Sequence, residues 1–206
     1  MSIESSTEGS RRRRSPEAAR ENVLRAAEGI LVESGPQNLK LVEVAARAGV
    51  VNATVLHHFG SITGLQTALM TRMIEQLVSR ILAISAATAD HGEMAGASTL
   101  ALFDAFEARG VARLAAWLEM TGEARRLTVV REAVREVIST RREVPEGVSP
   151  EQLEDFILLC ISVALGVGLF GPTLGVLLDK PESRARELAL PLLLALAQSA
   201  LPSTQG

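Results

Sequence analysis

The sequence predicts an all-α protein, with an N-terminal three-helix domain of the helix-turn-helix type and a larger helical domain. Apolar residues recur at helical spacing along most of the chain. Residues that start and stop helices punctuate this pattern. Aromatic residues make up only 3% of a chain that is 47% hydrophobic, so the core must be built mainly of Leu, Val, Ile and Ala.

The first helix has a well-marked start and stop. Ser15 is a good N-cap, Pro16 suits the first helical position, and an acid follows in the first turn. The helix is predicted to run to about Ser34, where Gly35 and the proline after it stop it. Its buried face is predicted to contain Val23, Ala26, Ala27, Ile30 and Leu31.

Two short helices are predicted next, over about Leu41–Ala48 and Asn52–His58, with Gly49 breaking the chain between them. Ser61 can cap a long fourth helix that starts near Thr63. Two short helices joined by a glycine turn and packed on a longer helix form a helix-turn-helix pattern. Further helices are predicted over 95–108, 111–121, 124–142, 151–178 and 182–200, with a loop over 143–150.

Charge is unevenly distributed along the chain, whose formal net charge is −3. The run Arg11–Arg14 concentrates positive charge in a polar segment, and residues 1–14 are predicted to be a disordered basic arm able to meet a phosphate backbone. The N-terminus lacks the apolar region of a signal peptide, and the single cysteine, Cys160, cannot form an internal disulfide. These features favour a reducing, cytoplasmic location.

Enzyme chemistry is not expected from the motifs. The chain contains neither G-x-S-x-G nor H-E-x-x-H, and its acids alternate with bases as on solvated helix faces. His57 and His58 are adjacent, so they cannot face one metal ion from a helix. We therefore predict no catalytic residues, no metal site and no cofactor.

Two signals in the apolar run near the C-terminus need an alternative explanation. Gly166, Gly168 and Gly171 match the dinucleotide-binding glycine pattern, but that chemistry needs a preceding strand, whereas the context here is helical. Phe156 to Leu178 carries no charge and satisfies the length criterion for a transmembrane helix. Pro172 is expected to interrupt this run, and no Trp or Tyr belt flanks it. We interpret the segment as the centre of a dimer bundle in which small residues let helices approach closely.

A family resemblance rests on residues spread in register over 23–70. The matching residues are Ala26-Ala27, Gly35, Val44-Ala45, Ala48-Gly49-Val50, Thr54, Phe59-Gly60-Ser61 and Leu65. This segment resembles the DNA-binding domain of TetR-family regulators, and ARLAAWLEMTG and VGLFGPTL resemble segments of that family's ligand domain more loosely. The resemblance implies a homodimer that binds a palindromic operator and usually releases it when a small molecule enters the C-terminal domain. It divides the chain into the arm at 1–14, a DNA-binding domain at 15–62 and a ligand-binding and dimerisation domain at 63–206.

The resemblance also identifies DNA-contact candidates. They are Lys40, Asn52, Ala53, Thr54 and His57, together with Arg11, Arg12, Arg13 and Arg14 of the arm. Asparagine can read adenine in the major groove, and threonine can contact a thymine methyl group or a phosphate. His57 is expected to be exposed on the recognition helix, whereas His58 is expected to pack against the first helix.

Four positions depart from the family pattern. The family usually has Thr or Ser at Lys40, Ser at Val51, Tyr at Leu56 and Lys at Ile62. Lys40 can still meet a phosphate, but Leu56 and Ile62 have no donor for one. These departures motivate an alternative hypothesis, in which a TetR-like dimer has lost autonomous DNA binding and acts through a protein or small-molecule partner.

The expected ligand is small and apolar, because few polar groups lie among the candidate pocket residues. These candidates are Phe103, Phe106, Leu114, Trp117, Leu118, Phe156 and Phe170, all of which could equally be core residues. The homodimer is expected to form through the last two helices, about 151–178 and 182–200, without membrane association.

Overall fold

The computed structural model describes residues 15–88, 90–108, 110–123, 132, 135 and 149–200. Within these residues the protein is all-helical, with eight α-helices, a short 3₁₀ helix over Pro36–Asn38, and no strand. The α-helices are α1 Pro16–Ser34, α2 Leu41–Ala48, α3 Asn52–Phe59, α4 Ile62–Ala87, α5 His91–Glu107, α6 Val111–Met120, α7 Pro150–Leu177 and α8 Arg184–Ala200. The predictions for the arm at 1–14, the helix at 124–142 and most of the loop at 143–150 lie outside the described residues.

The helix ends follow the local capping chemistry that the sequence predicts. The Ser15 hydroxyl accepts a hydrogen bond from the Ala18 amide at 3.1 Å, and the Ser61 hydroxyl accepts one from the Gly64 amide at 3.0 Å. Gly35 ends α1 with φ +81°, a backbone conformation that residues other than glycine rarely adopt. The predicted starts of α1 and α4 are therefore confirmed to within one residue.

The N-terminal part of the fold is built on α1, which packs against α2, α3 and α4. All five residues predicted for its buried face are buried: Val23, Ala26, Ala27, Ile30 and Leu31. Leu31 also lies against the start of α6, since a Cβ added to Gly110 would stand 3.3 Å from the Leu31 side chain. One continuous cluster of buried residues therefore links the helix-turn-helix to the larger helical part.

The larger part is centred on α5, which packs against α4, α6, α7 and α8. The buried residues of α7 form a seam that faces this core, at intervals of seven and four residues along the helix. They are Leu153, Cys160, Ala164, Gly171 and Gly175. The seam leaves the other side of α7 outside the core.

The glycines of α7 allow close helix contacts within the chain. A Cβ on Gly168 would meet the Phe106 carbonyl oxygen at 3.0 Å, and one on Gly171 would meet the Ala185 Cβ at 3.1 Å. A Cβ on Gly175 would stand 2.7 Å from the Pro181 carbonyl oxygen, at the turn into α8. The glycine pattern thus lies inside a helix, where Gly168 and Gly171 serve helix packing within the chain, instead of forming a phosphate-binding turn.

The expectation that Pro172 interrupts the apolar run is wrong. α7 continues through Pro172 to Leu177. Proline removes one backbone donor from a helix, but tertiary packing can hold the helix together across it. Here α7 packs on α5, α6 and α8, and Gly168 and Gly171, just before the proline, are in close contact with neighbouring helices.

An ion-pair cluster joins α1 to α4. Arg72 of α4 donates to Glu28 at 2.5 Å and to Glu21 at 2.8 Å. The Arg72 side chain is only 12% exposed. Burial by itself lowers the pKa of Arg72, but the hydrogen bonds to Glu28 and Glu21 outweigh burial and raise that pKa above its ordinary value. A second tie joins α6 to α1, where Arg113 donates to the Val32 carbonyl oxygen at 2.9 Å.

The substitution Arg72→Met is expected to lower the free energy of unfolding by about 2–3 kcal/mol, because it leaves the half-buried Glu28 carboxylate without its guanidinium. Urea denaturation followed by circular dichroism measures this loss. Glu21→Gln is the matched control, since Glu21 is 48% exposed and its removal should cost less than about 1 kcal/mol. Equal losses for the two variants would contradict the assignment of the main contribution to the inner pair.

Candidate nucleic-acid interface

The turn between α2 and α3 has the geometry of a Schellman C-cap. The Val50 amide donates to the Ala45 carbonyl at 3.0 Å, and the Gly49 amide donates to the Ala46 carbonyl at 3.2 Å. Gly49 has φ +66° and ψ +36°, in the left-handed region. The turn therefore fixes the direction in which α3 leaves α2.

The helix α3 has one buried side and one exposed side. Val55 is fully buried and anchors the helix to the core, while Thr54 and His58 are half-buried. Asn52, Ala53, Leu56 and His57 are exposed and share one face of the helix. This face is free for contact with another molecule, and it carries three of the predicted DNA-contact residues.

The N-termini of α2 and α3 lack a capping side chain, as does that of α6, which begins after Gly110. Lys40 and Val51 hold the N-cap positions, and neither start has a hydrogen bond from a capping side chain among the described residues. In contrast, serine or aspartate side chains cap α1, α4, α5 and α7. Exposed amides at a helix N-terminus attract anions, and the exposed Lys40 ammonium adds a positive charge at the start of α2.

Helix α1 braces the helix-turn-helix from behind. The Asn22 amide group donates to the Ala48 carbonyl at 2.7 Å, at the end of α2. The Arg20 guanidinium lies 5.3 Å from the centre of the Phe59 ring, at the end of α3. His58 was expected to pack against α1; it lies beside Phe59, with 6.2 Å between ring centres, and Phe59 makes the contact with Arg20.

A second brace joins α2 to the end of α1. Arg47 donates two hydrogen bonds to the Glu33 carboxylate, each 2.5 Å long, and these hydrogen bonds hold the pKa of Glu33 below its ordinary value. A Cβ on Gly29 would stand 2.7 Å from the Arg47 guanidinium, so glycine makes room for this pair. The same helices border an open cleft of about 530 Å³ beside Lys40.

The four departures from the family pattern differ in their surroundings. Val51 is 69% exposed and Leu56 is 40% exposed. Ile62 is half-buried and packs against the core, so it has a structural role at the start of α4. Val42 of α2, which was not singled out, is also exposed, and the helical spacing of the buried Val44, Ala45 and Ala48 leaves it off the buried face.

The predicted pocket residues lie on three helices and are only partly brought together. Phe103, Phe106, Leu114 and Leu118 are buried in the common core, and Phe156 packs against it. Trp117 is half-buried, whereas Phe170 is 57% exposed on the outer side of α7.

Sequence reasoning also missed Ser98 of α5, whose buried hydroxyl has no hydrogen-bond partner among the described residues. Its neighbours Gly96, Ala97 and Thr99 are all small, so nothing in the sequence set it apart.

No group of three or more His, Cys, Asp or Glu side chains suited to a metal ion occurs in the part of the chain that the structure describes. The two adjacent histidines of α3 contact each other edge to face, with 5.5 Å between ring centres.

The substitution Gly49→Ala is expected to lower the free energy of unfolding by about 1 kcal/mol, because an L side chain is strained in the left-handed conformation. Space is not limiting, since no atom of the described residues lies within 4 Å of an added Cβ. Urea denaturation measures the change. Gly49→Asn is the control and should cost less than half as much, because asparagine tolerates this conformation. An alanine variant as stable as the parent protein would contradict the turn geometry.

Comparison with known proteins identifies this fold. Residues 23–69 match the family model described as bacterial regulatory proteins, tetR family. None of the curated proteins matches the chain in sequence.

Solved structures match over most of the chain. A TetR-family transcriptional regulator from Streptomyces coelicolor shares 20% identity over 89% of this chain and 99% of its own, with a TM-score of 0.62. The reduced form of NemR from E. coli shares 15% identity over 91% of this chain and 100% of its own, with a TM-score of 0.64. The multidrug binding protein EbrR, complexed with ethidium, shares 20% identity over 87% of this chain and 99% of its own, with a TM-score of 0.58.

The sequence match covers α2 and α3, the turn between them and the parts of α1 and α4 that hold them, while the shared fold extends over about nine-tenths of the chain. Residues 23–69 therefore match the N-terminal region of the tetR family of bacterial regulatory proteins, and the chain as a whole shares the fold of these solved structures.

Proposed function

We propose that the protein is a homodimeric, ligand-responsive repressor that binds a palindromic DNA operator through α2 and α3. The observation that carries this proposal is the exposed face of α3, held at a fixed angle by the Gly49 turn within the segment that matches the family. In a helix-turn-helix, the second helix enters the major groove and the first crosses the backbone. On this proposal, residues 15–62 form the DNA-binding domain and residues 63–206 bind the ligand and the second subunit.

The proposed base contacts come from Asn52, Ala53, Thr54 and His57. Asparagine is suited to adenine, and an exposed imidazole can donate to or accept from a base edge. Lys40 is proposed to contact a phosphate at the start of α2. The arginines Arg11–Arg14 precede α1 directly in sequence and are proposed to add phosphate or minor-groove contacts.

The proposed dimer interface is the outer side of α7 and α8, which we call the outer face. Its large apolar side chains recur every three or four residues on each helix. They are Phe170, Leu174, Leu177, Leu188, Leu192 and Leu196, each between 46% and 71% exposed. A contiguous apolar surface of this kind on a folded protein marks an interaction site, and a two-fold axis would pair it with its own copy.

A membrane is the competing occupant of this surface. Among the described residues, α7 is the one helix long and apolar enough to cross a bilayer. However, its seam packs against α5, α6 and α8, so only one side of the helix is open. A helix that is core on one side and apolar on the other fits the middle of a dimer bundle.

The proposed ligand is small and apolar and enters among α5, α6 and α7. Phe103, Phe106, Leu114, Leu118, Trp117 and Phe156 supply apolar walls, and the Ser98 hydroxyl supplies a polar group without a partner in the described structure. EbrR, whose fold is similar, was crystallised with ethidium. Phe170 is better assigned to the outer face.

Ligand is proposed to shift the population toward dimers whose α3 helices no longer match successive major grooves. No catalytic step is proposed, and we place the protein with DNA in the cytoplasm.

The purified protein is expected to enrich a palindromic site from a random pool of DNA duplexes. The affinity should fall steeply with salt, with a slope of roughly 0.9 for each phosphate contact. Lys40→Ala should reduce this slope by about 2 per dimer, and replacement of Arg11–Arg14 by alanine should reduce it further. Fluorescence anisotropy at several salt concentrations measures the slopes.

Lys180→Ala is the matched charge control, because Lys180 is exposed in the turn between α7 and α8 and belongs to neither α2 nor α3. It should leave the slope unchanged. If soluble, dimeric protein enriches no site, the proposal of autonomous DNA binding is wrong. The alternative hypothesis then applies, in which the departures at Lys40, Val51, Leu56 and Ile62 reflect a loss of autonomous DNA binding. A protein or small-molecule partner should then be sought.

The substitution Leu192→Glu is expected to convert the dimer to a 21.9 kDa monomer at micromolar concentration. A carboxylate on the outer face loses water and meets its like-charged copy across the axis, which costs several kcal/mol and weakens association about 100-fold or more. Light scattering after gel filtration measures the mass. Leu100→Glu, at a 44% exposed position on α5, is the control and should leave the mass unchanged. A variant that remains dimeric would refute this interface.

A further inference from the structure

The centre of the exposed face of α3 is apolar. At about 100° of rotation per residue, Leu56 lies about 40° from Asn52 and about 60° from Ala53 around the helix axis. Asn52 and His57 flank this apolar pair on the two sides of the face. Leu56 therefore leaves apolar surface open near the centre of this face, where a bound molecule can cover it.

The fold does not require leucine at this position. The Leu56 side chain is 40% exposed, and the adjacent Val55, which is fully buried, anchors α3 to the core. The backbone carbonyl of Leu56 accepts from the Gly60 amide at 2.8 Å, a bond that any residue could make. The side chain is therefore available for recognition, and its chemistry limits what it can recognise.

The major groove offers one apolar group to such a side chain. Thymine carries a 5-methyl group there, whereas the other base edges present hydrogen-bond donors and acceptors. A leucine placed over a donor or an acceptor would strip it of water without replacing the hydrogen bond. A leucine placed over a methyl group buries two apolar surfaces together.

We propose that Leu56, supported by Ala53, determines specificity by packing on a pyrimidine 5-methyl group in each half-site, which in unmodified DNA is a thymine. This inference rests on the proposed function, because it needs α3 to lie in the major groove. Asn52 and His57 then read the base pairs on either side of that thymine. The Leu56 side chain carries no charge, so its contribution is base-specific and insensitive to salt.

The test uses the full-length protein and the duplex enriched from the random pool. Each thymine in a half-site is replaced in turn by deoxyuridine, which lacks only the methyl group, and binding is measured by fluorescence anisotropy at fixed salt. The effect is expected at one thymine position in each half-site. Removal of the methyl group there should weaken binding by the parent protein roughly threefold to fivefold per methyl group. Leu56→Ala should bind the thymine and deoxyuridine duplexes with the same affinity.

Two further variants and one further duplex control this experiment. Leu56→Met keeps an apolar side chain and should keep the preference for the methyl group, while Leu100→Ala removes an equally exposed leucine from α5 and should change nothing. A duplex with 5-methylcytosine for cytosine tests whether the methyl group is also recognised on the other pyrimidine. If the parent protein binds every deoxyuridine duplex as well as thymine, or if Leu56→Ala keeps the preference, this inference is overturned while the proposed function stands. If no duplex is enriched at all, both fail.

Discussion

The apolar face of α1 is the constraint on which the rest of the structure depends. This helix supports α2 and α3 on one part of its surface and contacts α4 and the start of α6 on another. Val23, Ala27 and Leu31 on this face are completely buried, so none of their surface is accessible to solvent. A change in any one neighbour therefore alters the packing of the others through α1. The exposed face of α3 and the larger helical part are therefore joined through a common core.

The sequence predicted the parts of the fold that depend on local chemistry. Ser15, Gly35, Gly49 and Ser61 act on their own turns, so the bounds of α1 to α3 and the start of α4 could be predicted to within one or two residues. The continuation of α7 through Pro172 could not be predicted in this way, because tertiary contacts on both sides of the proline decide it. The outward orientation of Phe170 depends on the same packing.

The candidate site was predictable in its position but not in its details. The family resemblance located α3 and its polar residues, and the structure then separated positions that look alike in sequence. Leu56 and Ile62 are both apolar departures from the family pattern, yet Leu56 is on the exposed face of α3 and Ile62 packs against the core. The pairing of Arg72 with Glu21 and Glu28 joins residues 51 and 44 positions apart, so no local pattern could indicate it.

The pairing of Arg72 with two carboxylates has a mechanical consequence. Glu21 and Glu28 lie two turns apart on α1, about 10 Å along its axis, so the guanidinium holds the helix at two points. One point of attachment would act as a pivot and leave α1 free to swivel on α4. Two points resist that torque, and the bond from Arg113 separately ties the end of α1 to α6. Because α1 is held to α4 at two points and also packs against α3, the orientation of α3 is tied to that of α4 through α1.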